Sequence, residues 1–170
     1  MLLIFLFYIF PIGNYPYVLC LINSYGWGTL GQLGLGECQN VNTPTKIEGL
    51  FNIKSISAGG MHSGCVDSES KCYTWGSNGY GQLGTNCDSS SNSKFSAEPQ
   101  LVHHRSSADA APSPLLVSSI SCGGMHTGAI DLVGQLWCWG RADSGQIGYG
   151  TRKLFMPNSR ILAGTMVPTP

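Results

Sequence analysis

An all-β repeat fold is predicted by three observations. Glycine supplies 23 of 170 residues, while Asp, Glu, Lys and Arg together make up only 11%; ordinary domains have ~7% glycine and ~25% charge. A gapless ten-residue pattern occurs three times, as YGWGTLGQLG over 25–34, WGSNGYGQLG over 75–84 and WGRADSGQIG over 139–148. Between the copies, apolar and polar residues alternate at period two, and no segment sustains a helical period. Many glycine turns between short alternating runs are what small antiparallel sheets require.

Composition closes off other classes. Nine Lys and Arg balance nine Asp and Glu. That leaves no basic surplus to neutralise phosphates, so direct nucleic-acid binding is not expected. A 42% apolar content argues against disorder. The seven cysteines are Cys20, Cys38, Cys65, Cys72, Cys87, Cys122 and Cys138, an odd number with no Cys-x-x-Cys pair. Reduced thiols in a cytoplasmic or nuclear protein are the simplest reading.

The chain opens on an apolar segment, residues 1–23, and its first charge is Glu37. Met1 to Phe10 reads MLLIFLFYIF, without the positive start or small-residue cleavage site of a signal peptide. Pro11, Gly13, Asn14 and Pro16 interrupt what would have to be a membrane helix of about 20 residues. A membrane- or signal-like segment is one reading, which leaves membrane contact open. The repeats favour another, a misassigned gene start.

The repeats run over residues 24–162, as a partial unit 24–52, a unit 53–116 with loop insertions and a unit 117–162, followed by a tail 163–170. Their Gly-Gln-(Leu/Ile)-Gly cores begin at Gly31, Gly81 and Gly145, at spacings of 50 and 64 residues. A second motif precedes the last two copies: SAGGMHSGCVD over 57–67 and SCGGMHTGAID over 121–131. His62 precedes Trp75, and His126 precedes Trp139, by 13 residues each. The same offset before Tyr25 falls on Ile12, and the tail ends before another such motif; both edges read as those of a fragment. The longer spacing has extra residues in the Ser/Asn-rich stretch near 88–96 and in HHRSSADAAPSPLL between Val102 and Val117. Such polar or Pro-rich insertions belong in surface loops.

Strands are expected at Ile53 to Ala58, Gly64 to Val66 and Lys71 to Trp75, and again at Val117 to Cys122, Gly128 to Ile130 and Gln135 to Trp139. Tyr73 and Trp75 share one face, as do Trp137 and Trp139; Cys72 and Thr74, or Leu136 and Cys138, take the other. Turns at Asp67 to Ser70 and Asp131 to Gly134 join the pairs, and a last short strand follows each proline, near Lys46, Gln100 and Ser159. Four short strands per unit of ~50 residues is the pattern of a β-propeller blade. The predicted fold is an incomplete β-propeller with four-stranded blades.

Two propeller types fit poorly: each tryptophan of the repeat is followed by Gly76 or Gly140 rather than the Asp of a Trp-Asp repeat, and kelch repeats lack a linked Trp-Gly and Gly-Gln-Leu-Gly. The combination of Ser-Cys-Gly-x-x-His-Thr, Leu-Trp-x-Trp-Gly and Gly-Gln-(Leu/Ile)-Gly resembles the repeat of the regulator of chromosome condensation family. The resemblance implies a seven-bladed propeller, of which this chain resembles about two and a half blades.

The repeated residues read first as structure: Gly59, Gly60, Trp75, Gly76, Gly81, Gln82 and Gly84 in one unit, and Gly123, Gly124, Trp139, Gly140, Gly145, Gln146 and Gly148 in the next. Gly79-x-Gly81-x-x-Gly84 is literally a nucleotide-loop pattern, but TNCDSSSNS follows it where a helix would be needed. His62-x-x-Cys65 has a metal-like spacing, yet its repeat partner is His126-x-x-Ala129, so no metal or other cofactor is expected. His62 and His126 can bond a turn between strands. His103-His104 should face solvent in the insertion. Asp67 and Asp131 start turns, Cys65, Cys72, Cys122 and Cys138 are inert buried thiols, and Trp75, Trp137 and Trp139 pack between blades.

The candidate partner contacts are Met61, His62, Met125 and His126, at positions that resemble the partner-facing motif of the family's plant photoreceptor, and Trp27, at a turn position held by Ser77 and Arg141 in the other copies. No Ser/His/Asp array or paired carboxylate stands out, so no enzyme is expected. The predicted function is non-catalytic protein binding by a scaffold. The resemblance also implies guanine-nucleotide exchange on a Ran-like small GTPase as an alternative. Ultraviolet-B sensing is disfavoured: the photoreceptor's repeat carries Gly-Trp-Arg-His-Thr, and Gly and Met replace the Trp and Arg in Gly60-Met61-His62-Ser63 and Gly124-Met125-His126-Thr127. Open blade edges favour self-association.

Overall fold

The computed structural model describes residues 22–85, 94–104 and 111–148, and the backbone of 155–161. Two antiparallel meanders dominate. The first contains β3 (Ile53–Ala58), β4 (His62–Asp67), β5 (Cys72–Ser77) and β6 (Phe95–Leu101), hydrogen-bonded in that order. The second contains β9 (Val117–Cys122), β10 (His126–Asp131), β11 (Leu136–Arg141) and β12 (Phe155–Ile161). Before them lies the two-stranded sheet β1 (Asn23–Gly26) and β2 (Val41–Lys46). Between them lies a hairpin of β7 (His103–His104) and β8 (Ser113–Pro114). The described residues contain no helix, hence none long and apolar enough to cross a membrane. The sheets form an arc of a β-propeller.

The last strand of each unit corrects the sequence reading. It does not follow the proline but contains it: Pro44 lies in β2, Pro99 in β6 and Pro157 in β12. The register explains why. Thr74 pairs with Gln100 but Gly76 with Ser96, so Pro99 lies in a bulge opposite Trp75. The same shift separates Ser24↔Thr45 from Gly26↔Val41, and one shorter by a residue separates Cys138↔Ser159 from Gly140↔Met156. A proline cannot donate to a ladder, and an edge strand with a bulge needs no donor there.

Alternation sends each strand's two faces into two different cores. Cys65 and Trp75 join Ile22, Ile47, Leu50 and Ile53 between the first two sheets. Val66 and Cys72 join Val117, Ile120, Cys122, Ala129 and Trp139 between the second and third. Trp75 and Trp139 are fully buried, as expected for packing between blades. Trp137 is only partly buried and lies against the margin of that core.

Both Asp turns are built alike. Asp67 Oδ1 accepts from the Glu69 and Lys71 N–H groups, and Asp131 Oδ1 from those of Val133 and Gln135. The second oxygens accept from Tyr73 Oη at 3.3 Å and Trp137 Nε1 at 3.0 Å. These carboxylates hold turns, as the sequence suggests. The insertion departs from expectation. His103 and His104 are half-buried in β7 rather than loose in solvent, and the His104 ring meets Trp137 edge-on with centroids 5.2 Å apart.

Candidate interaction face

Adjacent blades are joined through a main-chain oxygen of the Gly-Gln-Leu-Gly loop. Two stacked turns shape that loop: Gly81 N–H donates to Asn78 O, and Gly84 N–H to Gly81 O, each at 3.0 Å. The Gln82 side chain closes it by accepting from Tyr80 N–H at 2.8 Å. The Gln82 carbonyl, aimed at the next blade, then accepts from Trp139 Nε1 at 2.8 Å and from Thr127 Oγ1 at 2.7 Å. One junction earlier, Gln32 O accepts from Trp75 Nε1 at 3.0 Å and Ser63 Oγ at 2.9 Å. The third loop repeats the turns through Gly145 and Gly148, and Gln146 Oε1 accepts from Ser144 N–H.

The Gly-Gly turns meet at the same junction, where Gly60 N–H donates to Gly123 O at 3.0 Å. His62 completes it. Its Nε2 lies 2.8 Å from Thr127 Oγ1. The Thr127 hydroxyl proton points to Gln82 O, so His62 must be the donor in the Nε2–H tautomer. Burial, with a smaller contribution from the nearby His126, lowers the His62 pKa to about 4. The ring is therefore neutral at pH 7.

This geometry corrects one candidate contact. His62 is fully buried and bonds the next blade, so it cannot present itself to a partner. Met61, Met125 and His126 are half-buried, and Trp27 is 51% exposed. The Met61 carbonyl accepts from Ser77 N–H at 2.8 Å, and the Met125 carbonyl from Arg141 N–H at 2.9 Å. The methionine positions thus lie beside the two copies of the Trp27 position, at the end of the blades opposite the Asp turns.

Sequence reasoning missed the charged cluster on this face. Arg141 forms a two-pronged pair with Asp143, 2.8 Å from its Nε, and its guanidinium lies 5.2 Å from the Tyr80 ring centre. The hydrogen bond from Arg141 lowers the Asp143 pKa, and its counterpart raises that of Arg141. Position 141, aligned with Trp27, was the available signal. The substitution at 27 also leaves a trace inside: Gln82 Nε2 donates to Ser77 Oγ, but Trp27 offers no acceptor, and buried Gln32 Nε2 has no partner.

Cys65, Cys72 and Cys122 face inward, whereas Cys138 is half-buried and Cys38 exposed. Burial pushes Cys65 and Cys72 far above the usual thiol range and Cys122 up to about 12, although the bond to Ser57 opposes the last shift. Cys20 and Cys87 lie outside the described residues. Among the described residues, no group of three or more His, Cys, Asp or Glu is placed to hold a metal.

The family profile of the regulator of chromosome condensation (RCC1) repeat matches residues 24–66 and 69–130. The chain belongs to this family. It is 35% identical over 129 residues to the ultraviolet-B receptor UVR8 of Arabidopsis thaliana, covering 75% of this chain and 27% of the receptor. It is 32% identical over 143 residues to the probable E3 ubiquitin-protein ligase HERC6 of Homo sapiens, covering 82% and 13%. Among solved structures, the arc superposes on yeast RCC1 (Prp20) bound to Kap60 with a TM-score of 0.56 at 23% identity, covering 79% of this chain and 32% of that one. Human WBSCR16 gives a TM-score of 0.57 at 22% identity, covering 78% and 39%. The RCC1 repeats here therefore span well under half the length of these relatives. Within this chain the three copies share the Gly-Gln-(Leu/Ile)-Gly loop, the last two also share the Gly-Gly turn and the interblade tryptophan, and position 27, 77 or 141 differs in every copy.

Proposed function

We propose that these RCC1 repeats form a non-catalytic protein-binding module whose contact surface is the blade end carrying Trp27, Met61, Tyr80, Met125 and Arg141. The observation that carries this reading is the half-exposed indole of Trp27 where the aligned copy has a serine that serves the fold. A large aromatic there leaves the Gln32 amide without an acceptor, so internal bonding does not account for it. Aromatic and arginine side chains are enriched among residues that dominate protein interfaces.

Affinity purification of the full chain from its source cells, against a Trp27→Ala/Met61→Ala/Met125→Ala variant, tests the reading. Proteins that co-purify with the parent should be lost with the variant, while circular dichroism stays unchanged. Equal retention of every co-purifying protein would end it.

A second reading is exchange on a small GTPase. Prp20p from Saccharomyces cerevisiae, whose solved structure this arc resembles, has binding properties to Gsp1p and histones. Release of a fluorescent guanine nucleotide from a Ran-like GTPase separates the two. Accelerated release supports exchange; an unchanged rate leaves the binding module. Both readings suit a cytoplasmic or nuclear site of action.

A further inference from the structure

The three loop glutamines differ in one bond. Gln32, Gln82 and Gln146 each turn Oε1 onto the N–H of the residue two before, Leu30, Tyr80 or Ser144, at 2.8 Å. Their Nε2 groups reach back towards the start of the loop. Gln82 Nε2 donates to Ser77 Oγ at 3.2 Å, and Gln146 Nε2 to Asp143 Oδ1 at 3.4 Å. Gln32 is 1% exposed, and its Nε2 has no partner among the described residues.

The residue aligned with Ser77 is Trp27, and the one aligned with Asp143 is Thr29, which does not reach the amide. The repeat geometry thus puts Gln32 Nε2 beneath the side chain of Trp27, which is 51% exposed. A buried donor without an acceptor costs its full desolvation penalty. One occupant that supplies an acceptor and an apolar face would remove that cost and cover the indole.

The chemistry of the two side chains selects the occupant. Both offer donors, Trp27 Nε1–H and Gln32 Nε2–H. Neither offers an acceptor, because an indole has none and Gln32 Oε1 is taken by Leu30. A carboxylate would accept, but its burial against two neutral donors costs its hydration. An ordinary peptide brings an N–H with each carbonyl. A proline brings an apolar ring, the carbonyl before it and no N–H. Polyproline segments make no internal hydrogen bonds, so their carbonyls are free, and they dock on aromatic side chains. We propose that Trp27 and Gln32 bind a proline-rich, polyproline-II segment of a partner protein. A proline ring stacks on the indole, and the carbonyl before it accepts from Gln32 Nε2 once the indole has rotated aside. That rotation is a rotamer change of an exposed side chain and moves no strand. This site rests on the interaction face proposed above and names the class of segment it takes.

The test uses the full chain and a phage-displayed library of random dodecapeptides. Selected peptides should be enriched in proline. The best of them, made synthetically, should move the Gln32 side-chain amide resonance downfield in the NMR spectrum. Trp27→Ser should weaken its binding by about tenfold or more. That variant restores the acceptor of the aligned copy, so its urea midpoint should rise, and lost binding is then not lost folding. Trp27→Ala should also weaken binding, without the rise in midpoint. Selection of peptides without proline, absence of selection, an unmoved Gln32 amide, or affinity indifferent to both variants would overturn the proposal. Proteins that co-purify with the parent should be displaced by the peptide. Proteins lost with Trp27→Ala/Met61→Ala/Met125→Ala but not displaced by the peptide would leave the interaction face standing and end the proline site.

Discussion

The indole N–H of Trp139 donates to the main-chain oxygen of Gln82 across a blade boundary, 57 residues away in sequence. Trp75 and Gln32 repeat the bond one junction earlier. Each tryptophan thus packs in one core and fastens the preceding loop, so indole removal acts on two blades.

Trp139→Phe keeps most of the apolar volume but removes the donor. Gln82 O retains Thr127, so the expected loss is about 1–2 kcal/mol. Trp139→Ala adds a cavity, and the expected loss rises to ~3–5 kcal/mol. Urea unfolding of the full chain measures both. Equal losses would mean that packing carries the junction and the hydrogen bond contributes nothing separable.

Gly84 is where the indole needs space. A Cβ there would lie 2.6 Å from Trp139 Nε1, and the backbone φ is +65°. Gly79, in the same loop, has nothing within 4 Å of its Cβ direction. Gly84→Ala should therefore cost roughly 2 kcal/mol or more, and Gly79→Ala less than about 1 kcal/mol. Similar melting temperatures for the two variants would contradict the stacking.

His62 makes stability pH-dependent. Its folded pKa of about 4 lies below the ordinary 6.5, so the unfolded chain takes up the proton first. Stability is full above pH ~6.5 and falls as pH drops through about 4, by roughly 3 kcal/mol from this group. His62→Gln, which retains a donor toward Thr127, should flatten the urea midpoint profile across that window. Coincident profiles for parent and variant would remove His62 as the cause.

Thiol labelling should follow burial. Cys38 is exposed, whereas Cys65, Cys72 and Cys122 are buried with raised pKa values. Iodoacetamide at mildly alkaline pH, read by peptide mass spectrometry, should modify Cys38 in the native chain and the other three only after urea is added. Early modification of Cys72 would show that the core between the second and third sheets opens readily.

The repeat, the strand faces, the Asp turns and the buried tryptophans were all legible in the sequence. Each depends on a signal carried along one stretch of chain: a period of two, a recurring glycine or a fixed offset. The prolines were placed just outside their strands because a bulge opposite Trp75 is a property of a pair of strands, not of either alone. Only tertiary structure turned His62 inward. The decisive partner is Thr127, 65 residues later, and its hydroxyl is committed to Gln82. Only tertiary structure brought the inserted hairpin beside Leu132 and Val133 to make a groove. Local patterns determine which strands form, because backbone geometry repeats residue by residue. What a blade's surfaces become depends on which side chains the neighbouring blade covers, and that is decided by packing across distances no local pattern records.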